Sequence, residues 1–74
     1  MINILKNRVL TIMQFSNRVH LSNIQKSFLS EFFNDIHNTN TNKTEELNTL
    51  NDTISLIERY FIRESGNQFK PYGT

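Results

Sequence analysis

The sequence predicts an all-α fold, a small two- to three-helix bundle with an antiparallel helical hairpin over about 22–38 and 44–65. Three observations lead there. Apolar residues recur at Leu47, Leu50, Ile54, Ile57 and Phe61, spaced three, four, three, four, as on a helix that faces another helix. No Gly or Pro occurs before Gly66, which suits helices joined by polar loops and not a hairpin-rich sheet. Residues 38–43, Asn-Thr-Asn-Thr-Asn-Lys, form a polar connection of the length that closes an antiparallel helix pair.

The first helix is expected over residues 2–16. Ile2, Leu5, Val9, Ile12 and Phe15 or Ser16 keep helical spacing, with Ile4, Leu10 and Met13 beside them. That wide apolar arc predicts burial on two sides. The strand formers between Val9 and Phe15 do not hold a period of two, so a strand is the weaker reading. Ser16 and Asn17 favour caps and turns, and no Gly or Pro stops the helix from running on to about His20.

Ser22 opens the second helix, with Gln25 at capping-box spacing. Ile24, Phe28, Phe32 (or Leu29) and Ile36 are then expected on one face, flanked by Phe33. The aromatic cluster Phe28, Phe32, Phe33 reads first as core. Adjacent helical residues point about 100° apart, so one of Phe32 and Phe33 faces off-centre and is the candidate for a partner surface.

The third helix spans Thr44 to Gly66. Asn42 or Thr44 is its expected N-cap, and Asn42 and Glu45 have capping-box spacing. Glu45 and Glu46 in the first turn, with Arg59 and Arg63 in the last two, suit the helix dipole. Leu56 and Tyr60 widen its apolar stripe, and Gly66 stands where a C′ glycine ends a helix. Residues 1–66 are expected to form one helical domain. Residues 67–74 form a tail in which Pro71 forbids helix, while Phe69 and Tyr72 are available to pack on the bundle or on a partner.

Composition narrows the function. The chain has 74 residues, net charge +1 and no Cys. Near-neutral charge argues against a protein that coats nucleic acid by bulk charge. The absence of Cys excludes disulfides and thiolate metal sites. His20 and His37 have no ligand spacing, and no glycine loop precedes Gly66 to cradle phosphate. No catalytic set, metal site or cofactor site is expected. No signal peptide or membrane-spanning stretch is recognisable. The expectation is a cytoplasmic protein, or one exported without a cleaved signal. Asn makes up eleven of 74 residues and Ile eight, the bias of AT-rich coding sequence, which fits a phage or mobile element.

An up-down-up bundle would bring Arg18 and His20 near Arg59 and Arg63, and gather Glu31, Asp35, Glu45 and Glu46 at the other end. The candidate partner-binding residues are therefore Arg18, His20, Phe32, Phe33, Arg59 and Arg63. The expected function is non-catalytic protein–protein interaction, as an inhibitor, small chaperone or assembly subunit. A core this small without staples also leads one to expect a homo-oligomer, a dimer above all. The alternative is a nucleic-acid- or nucleotide-binding regulator using the basic end.

Overall fold

The computed structural model describes residues 1–70, folded as α1 (Ile2–Ser16), α2 (Asn23–Asn38) and α3 (Thr44–Glu64). The described residues contain no strand.

The ends of the helices follow from local chemistry. α1 stops at Ser16 and does not reach His20. The Ser16 hydroxyl donates to the Met13 carbonyl at 2.8 Å, and Arg18 N–H closes a tight turn onto Phe15 O at 2.9 Å. Arg18 N–H thus turns to Phe15 O and not to Gln14 O, which the next α-helical bond would require. α2 opens with the expected capping box: Gln25 N–H donates to Ser22 Oγ and Ser22 N–H to Gln25 Oε1. α3 ends as expected, with Gly66 in the left-handed region at φ +63. Gly66 N–H donates to Arg63 O and Asn67 N–H to Ile62 O, the two bonds of a Schellman motif.

The start of α3 differs from expectation. Its N-cap is Lys43, not Asn42 or Thr44, and no side chain caps it. Thr41 supplies the order instead. Its hydroxyl accepts from Lys43 N–H at 3.2 Å and donates to the Glu46 carboxylate. Glu46 thus bonds Thr41, and no Asn42–Glu45 capping box forms.

α1 is the central element. It packs on both other helices, whereas no Cα of α2 comes within 8 Å of α3. Lys6 Nζ donates to His37 O, pairing the start of α1 with the end of α2, so those two run antiparallel. Arg8 reaches Asn51, Ser55 and Glu58, and Phe15 meets Phe61, so α1 runs parallel to α3. Gln25 Nε2 donates to the Tyr60 hydroxyl, joining the start of α2 to the end of α3. The hairpin of α2 and α3 is therefore antiparallel, and it meets through side chains alone.

The core takes Leu5, Val9 and Ile12 from α1, Leu29 and Ile36 from α2, and Leu47, Ile54, Ile57 and Phe61 from α3. Burying each such side chain contributes about 1.5–3 kcal/mol. The α3 stripe is thus the buried one, with Leu50 half-buried. Phe69 folds back to close one end. It is buried, stacks on Phe15 at 4.9 Å and Phe61 at 5.9 Å, and its N–H donates to Ser65 Oγ. Tyr72 lies outside the described residues.

The expected buried face of α2 is wrong on one side. Ile24 is 84% exposed and Phe28 58%. α2 buries Leu29 and Ile36, one heptad apart, with Phe32 and Phe33 half-buried beside them. Phe28 points about 100° away from Leu29. Covering both stripes would require close contact with α1 and α3 together, and α2 packs closely on α1 alone.

Candidate functional site

The gap between α2 and α3 is an open groove of about 430 Å³. Ile24 and Phe28 form one wall, one helical turn apart. Leu56 and Tyr60, also one turn apart, form the other. Leu29, Ile57 and Phe61 make the floor. The four wall residues account for most of the large apolar side chains left open to solvent: besides Ile24 and Phe28, Leu56 is 60% exposed and Tyr60 38%. Together they leave one contiguous apolar surface open to solvent on this face. The Gln25–Tyr60 bond crosses the groove near one end, and the Tyr60 ring stands edge-on to Phe61 at 5.6 Å.

The charges on the same face are sorted. Glu31 and Asp35 lie seven residues beyond Ile24 and Phe28, so they continue that wall. Asp52 lies one turn before Leu56, and Arg59 and Arg63 one and two turns after it. Because α2 and α3 are antiparallel, the three carboxylates share one end of the groove and the two arginines the other, where Glu64 is also exposed beside Gln25 and Tyr60. All five side chains are exposed, and among the described residues none of them makes an ion pair.

The sequence-predicted residues divide. Arg59 and Arg63 stand at the basic end of the groove. His20 is exposed in the α1–α2 connection and lines a hollow of about 240 Å³ with Gln25, Tyr60 and Glu64, so it sits at that same end. Arg18, two residues before it, is exposed in the connection that leaves the end of α1. Phe32 and Phe33 are not the exposed aromatics. Their rings lie 6.3 Å apart, half-buried against the core. Sequence reasoning missed Ile24, Phe28, Leu56 and Tyr60. The available signal was a second i,i+4 apolar pair on each helix, outside the stripe needed for one neighbour.

A second polar cluster lies between α1 and α3. Glu58 is 4% exposed and is the only buried charged residue among those described. Arg8 grips it with a fork: Nη2 donates to Oε1 at 2.7 Å and Nε to Oε2 at 3.1 Å. Nη1 of the same arginine donates to Asn51 Oδ1 at 2.6 Å and Nη2 to Ser55 Oγ at 3.1 Å. Among the described residues no buried side-chain nitrogen or oxygen lacks a hydrogen-bond partner, and these bonds tie α1 to α3. Among the described residues no helix is long and apolar enough to cross a membrane.

No family model matches the chain, and no curated protein or solved structure matches it.

Proposed function

We propose that this protein is a small non-catalytic interaction module of the cytoplasm, an inhibitor, small chaperone or assembly subunit that docks protein in the groove between α2 and α3. One observation carries the reading: Ile24, Phe28, Leu56 and Tyr60 are held open to solvent on both sides of an apolar trough. Transferring such side chains from water to a partner is favourable in proportion to the area covered. A trough between two helices suits an amphipathic helix laid along it. The homo-oligomer expected from the small core would use the same face.

The test compares the protein with its Phe28→Ser/Leu56→Ser variant, both immobilised in a host extract. Proteins retained by the original chain should be lost by the variant, while circular dichroism shows unchanged helix content. An identical set on both overturns the reading.

A second reading has an observation in its favour. Arg59 and Arg63 are exposed one turn apart and, among the described residues, make no ion pair, an arrangement that suits phosphate or a nucleotide. Binding of that kind falls steeply with salt and survives truncation of Phe28 and Leu56. The opposite behaviour supports the protein-docking groove.

A further inference from the structure

Resting on that docking reading, we infer that the occupant of the groove is a second copy of this chain, seated by a two-fold axis that crosses α2 and α3 at right angles. The apolar walls say that something covers this face. The charges say what. Glu31 and Asp35 on α2 are a like-charge pair at i,i+4, and so are Arg59 and Arg63 on α3. Such pairs weaken an isolated helix. None of the four, nor Asp52, has an opposite charge three or four residues away on its own helix. Asp35 also lies in the last turn of α2, where the helix dipole opposes a carboxylate. Within one molecule the carboxylate end is unfavourable, and the arginine pair repels itself although it suits the α3 dipole; the two ends are of opposite sign.

Turning a second molecule face to face about an axis across the helices reverses its ends. Arg59 and Arg63 of each copy then lie over the Glu31, Asp35 and Asp52 end of the other, and the four apolar walls meet in the middle. The interface is isologous, as a two-fold requires. α2 lies against α2 and α3 against α3, each antiparallel, so all four neighbouring helix pairs run antiparallel and their dipoles agree. Facing the same surfaces about an axis along the helices would bring the arginine end to the arginine end and the carboxylate end to the carboxylate end. The charges therefore select one of the two ways in which this face can meet itself.

The test uses purified full-length protein and sedimentation velocity over a dilution series. The original chain should pass from 8.8 kDa to twice that mass as concentration rises, with a dissociation constant that rises with salt. Two variants are then made, Arg59→Glu/Arg63→Glu and Glu31→Lys/Asp35→Lys/Asp52→Lys. All five sites are exposed, and circular dichroism checks that helix content is kept. Each variant alone should dimerise at least tenfold more weakly. Mixed one to one, they should form a heterodimer at least tenfold tighter than either homodimer, because one face now carries five carboxylates at these sites and the other five cations. A chain that stays at monomer mass at millimolar concentration overturns the inference. So do variants that dimerise as the original does, and a mixture that forms no heterodimer. If the original chain is monomeric and the Phe28→Ser/Leu56→Ser variant still loses a distinct captured protein, the docking reading stands and self-association alone fails.

Discussion

Arg8 and Glu58 fix how the first and third helices meet. Arg8 lies three residues after Leu5 and four before Ile12, on the buried side of α1, and Glu58 lies four after Ile54 on the buried side of α3. A charge among core positions is costly unless it is paired and hydrogen-bonded. The forked geometry with Asn51 and Ser55 meets that condition. Removing one partner strands the other, so Arg8→Met should destabilise the fold by about 3–5 kcal/mol. Adding Glu58→Leu should recover most of the loss, since the stranded charge is then gone. Urea unfolding of the two single variants and the double checks this; strictly additive losses would mean that the pair is not coupled. Gly66 offers a cleaner case. A Cβ added there would meet nothing within 4 Å, so only backbone strain opposes it. Gly66→Ala should cost about 1–2 kcal/mol, the usual penalty of the left-handed region for an ordinary residue, and Gly66→Asn less. Equal melting temperatures for Gly66→Ala and the original chain would contradict the Schellman ending.

At the scale of elements, the connection 39–43 does more than span a gap. Thr41 holds Lys43 N–H and Glu46, and the N-cap Lys43 itself supplies no side-chain cap at the start of α3. Thr41→Val should therefore destabilise by about 1 kcal/mol, in the range of a lost cap. Gly/Ser residues inserted between Thr39 and Asn40, upstream of the anchor, should cost less than that, because lengthening a loop adds little closure entropy. Thermal melts of both variants decide the order; a costly insertion with a harmless Thr41→Val would place the structure of the loop elsewhere. The contrast shows what the chain discloses locally. Capping boxes, the C′ glycine and an a/d stripe involve residues within one or two turns, so the spans of α1, α2 and α3 were readable. The anchor of α3 was not, because Thr41 bonding to Glu46 competes with Asn42 bonding to Glu45 at the same spacing scale, and only the path of the loop decides between them. The groove was illegible for a different reason. Ile24 and Phe28 have the same helical spacing as core residues, and their exposure depends on α2 lying against α1 and away from α3. The up-down-up order of the three helices was readable, since it required only two short connections. Arg8 was readable in principle from its place between Leu5 and Ile12.

At the scale of the molecule, the three helices are unequal partners. α1 is covered on two sides and α3 buries five residues, whereas α2 buries only Leu29 and Ile36 and shares a single close helix contact, with α1. Opening α2 alone would expose the least core, so it is the element expected to detach first in a sub-global fluctuation. Hydrogen exchange read by mass spectrometry should rank the amides of α2 below those of α1 and α3 in protection. The capping box at Ser22 holds the first turn of α2, so the contrast should be greatest in the turns after Phe28. A second copy seated in the groove changes this. It covers Ile24 and Phe28, and a ligand that binds only the closed form stabilises it by mass action. Protection of α2 should then rise with protein concentration while that of α1, which does not line the groove, moves little. The Arg59→Glu/Arg63→Glu variant should keep the low-concentration pattern throughout. An α2 as protected as α1 in dilute solution would show that its two buried residues and the Gln25–Tyr60 strap hold it more firmly than their burial implies. Protection that is independent of concentration would leave the groove open in the pure protein.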